Sequence, residues 1–388
     1  MKKFLCFLLA ALLLTSTVAM AETVINPTEK RGIKLQKVGL NEVEEGISPT
    51  TGLPLSFYYV PEYFSGMALT GEYLPFMVQI GNDNGGIGEA APWGVEYADI
   101  VYEMPLHKNG TTRLTFLFND LLPDDVGPVR SLRVAHAWLR EEWNAPYAHW
   151  GMQTYNRTNV ENEIRALGHK RYNDMFFDGT AGEAKPWKAF MMHHEYIKNN
   201  VYSSYANPAA LTSLIPEGTT YPNHAFKFTD ETPEGDTAMR VTVSWHSGQG
   251  DQKAGSLLVY DIDSNAYLRY IRGTGKNDPE PWVDRKTGAM PAFANVVIQF
   301  AETSYNSNDA PVTKVINKSG NNFTSAEGNA DFFMCGVHIA GYWKRDDVTS
   351  RTVFYGPDGN EIEFQRGKTL IMIMPSNQEV TESKVSYE

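Results

Sequence analysis

The sequence predicts an α+β protein: a mixed α/β N-terminal domain followed by a mainly antiparallel β C-terminal domain. Two patterns predict it. Before about residue 224, short buried strand-like runs interleave with segments whose apolar residues recur at helical spacing. Beyond it, apolar and polar residues alternate, or aromatic and β-branched residues bunch into short runs separated by Gly, Asn and Pro. The expected divisions are residues 1–21 as an export signal, 22–49 as a leader or linker, 50–223 as the first domain and 224–388 as the second.

The signal carries its own chemistry. Met1-Lys2-Lys3 is basic, Phe4 to Leu14 is apolar, and Ala19-Met20-Ala21 closes in the small-x-small pattern of a secretory cleavage site. A bilayer span needs about 20 apolar residues, and Thr15-Ser16-Thr17 cuts this run short. Cleavage after Ala21 is therefore expected, with a secreted product and no transmembrane span. Removing 21 residues from 388 leaves 367, and losing Lys2 and Lys3 moves the formal charge from −12 to −14. Cys335 is then the single cysteine, so no internal disulfide is expected.

In the first domain, Leu74 to Gly81, Asp99 to Met104 and Leu114 to Phe118 are expected strands, the last two joined by a turn at Lys108-Asn109-Gly110. Ser131 is expected to cap a helix with Leu132, His136, Leu139 and Trp143 on one stripe. Thr158 or Asn159 is expected to cap a second, with Val160, Ile164 and Leu167 inward. In the second domain the expected strands centre on Val241–Trp245, Leu257–Tyr260, Tyr267–Ile271, Val296–Phe300, Thr352–Tyr355, Ile362–Phe364 and Thr369–Met374. Gly356-Pro357-Asp358-Gly359 is expected to turn a hairpin.

Composition limits the partners. Aromatic residues at 12% and charged residues at 21% mark a globular chain. The acidic balance disfavours nucleic acid, which demands clustered Lys and Arg. Against that background, Gly127-Pro128-Val129-Arg130-Ser131-Leu132-Arg133 places two arginines at an expected helix start, and Arg113 joins them after Gly110-Thr111-Thr112. A helix start and guanidinium forks both favour an anion. The alternative is internal pairing of Arg130 and Arg133 with Asp124, Asp125 or Glu103. His149, at an expected strand end, and His193, in His193-His194-Glu195-Tyr196, supply imidazoles for acid–base work. No metal-ligand spacing is present, since Lys198 stands where His-Glu-x-x-His requires histidine, and no cofactor motif is found. Cys335 with His338 lacks the arginine of a cysteine transpeptidase and reads as a packed residue.

Asp99-Ile100-Val101-Tyr102-Glu103, Gly110-Thr111-Thr112-Arg113, the Gly127–Arg133 segment, His149-Trp150-Gly151 and His193–Tyr196 occur in that order. Gly341-Tyr342-Trp343-Lys344-Arg345, Ser350-Arg351-Thr352 and Gly367-Lys368-Thr369 follow. This series resembles the YerB-like family of bacterial envelope proteins, over about residues 50–375. The resemblance implies an extracytoplasmic location and two domains, and no reaction. Two departures stand out: the lipid-attachment cysteine is missing, and His193-His194-x-Tyr196 replaces the family's His-Asn-x-Tyr.

The resulting expectation is a secreted accessory protein of the cell envelope. Arg113, Arg130, Arg133, His149, His193 and Glu103 form the candidate site for an anionic glycan or peptide. Two alternatives remain open: an envelope-polymer hydrolase or transferase with a histidine base and an arginine clamp, and an adaptor that binds a partner protein.

Overall fold

Strands from both halves of the chain hydrogen-bond into one eleven-stranded sheet. The computed structural model describes residues 22–55, 68–69, 73–154, 159–171, 175–246, 255–272, 279–305, 310–377 and 382–388. The expected signal segment, residues 1–21, and Thr158 lie outside them.

The principal strands are β1 (Phe76–Asn82), β2 (Ile100–Pro105), β3 (Thr112–Phe118), β4 (Tyr147–His149), β5 (Phe176–Asp178), β6 (Asn295–Ala301), β7 (Ala326–Met334), β8 (Val337–Arg345) and β9 (Thr369–Pro375). Their spatial order is β8-β7-β6-β9-β2-β3-β1-β4-β5, with Asp236–Thr237 and Val353–Tyr355 added to β8. β9 runs parallel to both β6 and β2, with Leu370 opposite Val101 and Met372 opposite Glu103. The last strand of the second half is thus inserted beside a strand of the first.

Burial on both faces explains why the central strands are continuous apolar runs. Val296, Ile298, Leu370, Met372, Val78 and Phe116 point to one core layer. Val297, Ile371, Ile373, Met77 and Leu117 point to the other. The first layer is closed by a second, seven-stranded antiparallel sheet that includes Arg240–Ser244, Gly255–Asp261, Ala266–Arg272 and Lys384–Tyr387. The second is closed by helix α1 (Val134–Trp143), whose ten residues are all buried.

These features correct the expected fold class. The protein is mostly β, with several sheets, and among the described residues only α1, α2 (Val160–Ala166) and α3 (Pro208–Leu211) are α-helical. The N-terminal half is therefore not a mixed α/β domain. The helical stripe misled at its start: Leu132 bridges to Met152, and Ser131 Oγ donates to the Trp150 carbonyl at 3.1 Å instead of capping. Arg133 occupies the N-cap of α1 with no side-chain cap. Asn159 does cap α2, accepting from the Asn162 amide at 3.2 Å.

The segment 22–49 gains its order from contacts across the chain. Thr23–Val24 pair with Lys384–Tyr387. Arg31 donates to the carbonyls of Ala330 and Gly341 at 2.6 and 2.8 Å and pairs with Asp331 at 2.7 Å. Asn41 donates to the Ala225 carbonyl and to Glu361, which also pairs with Arg351.

Buried polar groups lock the seam between the halves. Asp99, at the start of β2, accepts from Thr50 Oγ1 and from the amides of Asn119 and Asp120 at 2.8–3.0 Å. Asp120 accepts from Ser48 and Thr51 hydroxyls. Lys368, just before β9, donates to the Ala98 carbonyl at 3.0 Å. Burial, and then the neighbouring Asp120, hold the Asp99 carboxyl well above the usual range. On the second-sheet side, Glu103 accepts from Asn82 and Thr112 and pairs with Arg269 at 2.7 Å, both side chains 1% exposed. Arg269 also lies over the Trp282 ring, 4.6 Å from its centroid.

Two expectations follow. A raised folded-state pKa means that Asp99 contributes most below the usual carboxylate range and loses that contribution as pH rises through the folded value. Asp99→Asn should therefore flatten the pH dependence of urea unfolding, matching the parent near pH 4 and equalling or exceeding it at pH 8; a variant much weaker at pH 8 would show that Asp99 is needed ionised. Arg269→Met should cost about 3–5 kcal/mol, because it leaves Glu103 charged and buried. Most of that loss should return in the Glu103→Gln, Arg269→Met double variant, as read from denaturation midpoints.

Candidate functional site

Alternation along β3 sends adjacent residues to opposite faces. Thr112 joins Glu103 on the second-sheet side, and Arg113 turns toward α1. Arg113 lies opposite Gly81 of β1 and Met104 of β2 and is 3% exposed. Its Nη1 reaches the Ser131 carbonyl at 3.5 Å, and its Nε is buried without a hydrogen bond. Arg133 Nη1 donates to the same Ser131 carbonyl at 3.0 Å and to Leu132 at 3.1 Å. Two guanidiniums therefore converge on one carbonyl. Among the described residues no carboxylate forms an ion pair with Arg113. Burial, then Arg133 and Arg130, push the Arg113 guanidinium well below its ordinary range.

Arg130 stands at the rim of this cluster. Its Nη2 pairs with Asp83 at 2.9 Å and its Nη1 donates to the Val201 carbonyl at 3.3 Å. Its aliphatic stem lies on Gly81, where an added Cβ would fall 2.9 Å from Arg130 Cγ. The internal pairing weighed from the sequence thus occurs for Arg130, with Asp83 in place of Asp124, Asp125 or Glu103. Asp125 is engaged by Trp93 Nε1, His194 and Lys286.

The structure brings Arg113, Arg130 and Arg133 together and sets Glu103 on the other face of the sheet. His149 ends β4 on the α1 side of the sheet but is fully buried. Its Nδ1 contacts the Gly151 carbonyl at 2.9 Å, and its Nε2 is buried with no hydrogen bond. Burial lowers its imidazole below the usual range. With no path to solvent, it is not placed to take a proton from a substrate. His193 is exposed on the short hairpin of Met191–His193 and Ser204–Ala206. Its Nδ1 contacts Ser203 Oγ at 2.8 Å, and its ring meets Trp150 edge-on at 4.5 Å. Since the Trp150 amide donates to the Arg130 carbonyl, His193 borders the arginine rim.

Sequence reasoning missed three participants. His136 was expected in the core and is there, at 1% exposure, but it lies in the field of Arg113 and Arg133. Burial and those charges push it down to about 3, and neither ring nitrogen makes a hydrogen bond of normal geometry. Asp83, which follows β1, pairs with Arg130. Arg269 was unremarkable in a strand and holds Glu103. Cys335 sits at the β7–β8 turn with its thiol pushed up by burial, while His338 pairs with Asp331 at 2.7 Å. Among the described residues no group of three or more His, Cys, Asp and Glu is arranged to hold a metal.

A cavity of about 980 Å³ lies elsewhere, between residues 36–41, 227–234 and 356–363. Its wall sets Lys37 and Lys227 against Glu231, Glu234, Asp358, Glu361 and Glu363, so it offers no cationic cluster to an anion. Arg113, by contrast, is a buried cation that forms no ion pair with a carboxylate among the described residues.

Residues 64–213 match the family described as "Protein of unknown function (DUF3048) N-terminal domain", and residues 243–371 match its C-terminal domain. A protein of Bacillus subtilis (strain 168) named "Putative lipoprotein YerB" is 27% identical over 299 residues, 75% of this chain and 79% of that one. The crystal structure of YerB from Bacillus subtilis superposes with a TM-score of 0.63 at 20% identity, over 87% of this chain and 99% of that chain. That superposition speaks for the shared fold. With both domains matched in order, the chain belongs to the YerB-like DUF3048 family, whose function is unknown.

Proposed function

We propose that this protein is an extracytoplasmic accessory protein of the bacterial envelope that binds an anionic ligand at Arg113. The location is supported by the signal-like residues 1–21 and by the lipoprotein name of its Bacillus subtilis relative. Export with cleavage after Ala21 and release as a secreted product belong to the same reading, because no cysteine stands at the cleavage site to carry lipid.

One observation carries the binding proposal: Arg113 is buried, shares a carbonyl with Arg133, and forms no ion pair with a carboxylate among the described residues, Asp83 acting on it only from its pair with Arg130. A buried cation without a counter-charge is costly to fold. An anion entering between the half-buried Ser131 and Arg133 would relieve that cost. Arg130 and His193 form the rim, and Trp150 offers a ring face beside them for a sugar or peptide.

Arg113→Met tests this directly. The ligand-free variant should be as stable as the parent or about 1–2 kcal/mol more stable, since it removes an unmatched buried charge. The parent should be stabilised in a thermal-shift panel of phosphate, sulfate, acetate, glucuronate and muropeptides, by about 2.7 kcal/mol at 100 times the Kd. The variant should lose that response. If no anion stabilises the parent and Arg113→Met unfolds at markedly lower temperature, Arg113 is structural.

A further inference from the structure

We infer that the first turn of α1 completes the Arg113 site and that the group it takes is a phosphoryl group. This rests on the reading of Arg113 as an anion site and adds its second half and its ligand class.

Among the described residues, the first amides of α1 meet no acceptor. Arg133, the N-cap, is extended at φ −125°, ψ 162° and offers no side-chain cap. The first intrahelical acceptor is the Arg133 carbonyl, which receives the Ala137 amide at 3.1 Å. The amides of Val134, Ala135 and His136 precede it, and none of the described hydrogen bonds uses them. These residues are 4%, 6% and 1% exposed, so bulk water does not readily replace the missing acceptors. No acidic residue stands in the first turn to balance the helix dipole. A ten-residue helix thus begins buried, with no side-chain cap and no acceptor among the described residues, a start suited to an external acceptor.

The second observation is independent of the helix. Arg113, from β3, and Arg133 bring their guanidiniums to the Ser131 carbonyl, two residues before the N-cap. Arg113 Nε is buried and makes no hydrogen bond among the described residues. Donors therefore approach from a strand, from the segment before the helix and from the helix itself.

Count and geometry select the ligand. A carboxylate offers two oxygens in one plane and a single charge. A phosphoryl group offers three oxygens around a tetrahedral centre and up to two charges. Helix amides on one side and guanidinium forks on another suit the tetrahedral group, which meets both sets at once. A carboxylate would satisfy either the amides or a fork and leave the other set unmatched. The source of the phosphoryl group, a free phosphate or a phosphorylated envelope glycan, is a choice between carriers of the same chemistry.

Val134 allows a clean test. It is the first helical residue, where proline is tolerated, and the extended Arg133 before it is compatible with a following proline. Val134→Pro deletes one amide donor and Val134→Ala controls for the lost side chain. Binding of inorganic phosphate, sulfate and acetate to the full mature chain would be measured by calorimetry at matched ionic strength. Phosphate should bind at least tenfold more tightly than acetate, with sulfate between them. Val134→Pro should weaken phosphate at least tenfold relative to Val134→Ala. Acetate binding as well as phosphate, or equal phosphate affinity in the two variants, would overturn the inference and leave the Arg113 reading intact. Failure of every anion to bind the parent would remove both. Should Val134→Pro not fold, hydrogen exchange of residues 134–136 in the parent reads the same contact: phosphate should slow it, and unchanged exchange would overturn the inference. Released from a phosphorylated glycan panel, the stronger binder over free phosphate identifies the carrier.

Discussion

The parallel pairing of β9 with β2 is the constraint on which the rest of the molecule depends. Thr369 to Met372 lie in register beside Ile100 to Glu103, so the chain's late strand completes a sheet whose other members come from both halves. Parallel neighbours must be joined by long connections. Here that connection carries the second sheet, the β7–β8 hairpin and their packing partners. Everything that lies on either face of the sheet is positioned by this one pairing.

Such a seam buries polar groups along with apolar ones. Asp99 and Asp120 take hydroxyls from Ser48, Thr50 and Thr51, while the Gly367 amide donates to the Thr51 carbonyl at 2.7 Å. The loop after the leader, the ends of β2 and β3 and the approach to β9 thus share one polar knot. Glu103 and Arg269 make the corresponding tie between the two sheets. These contacts specify register more than they add stability, because a buried charge pair gains little over an apolar pair of the same shape. On the faces so organised, nearly every buried carboxylate or guanidinium has a counter-charge or a set of hydrogen bonds. Among the described residues Arg113 is held more loosely, by one 3.5 Å contact to the Ser131 carbonyl.

The strands were the legible part of the sequence. β1, β2, β3, β6 and β9 are buried on both faces and announce themselves as unbroken apolar runs. The longest hairpin was not legible, because β7 and β8 turn through Cys335 and Gly336, both at positive φ (53° and 71°), and cysteine is not a residue that signals such a turn. The Gly356–Gly359 turn was recognised, and Tyr355 bridges antiparallel to Glu361 across it, but beyond that bridge Val353–Tyr355 joins β8 and Glu363–Gln365 pairs in parallel with Lys227–Thr229. Helix was over-read in the first half because α1 is buried all round, so a single apolar stripe at its start fitted a longer helix than the chain forms. The arginines were legible as a cluster because Arg130 and Arg133 are close in sequence. The partner of Arg130 was not, since Asp83 follows the far end of β1, and neither was the partner of Glu103, since Arg269 belongs to the other sheet.

Register also explains why the unmatched cation cannot relax. A surface arginine without a partner swings into water and keeps its hydration. Arg113 belongs to an interior strand, held between Gly81 and Met104, and the alternation that places Thr112 beside Glu103 obliges Arg113 to face α1. One residue of β3 therefore serves an acid already neutralised by Arg269, while the next points a buried charge at an uncapped helix start. A slip of one position would reverse the two faces and break every apolar contact of the strand. The fold thus gathers three guanidiniums on one face of the sheet, with the carboxylate of Asp83 paired to the outermost of them, Arg130.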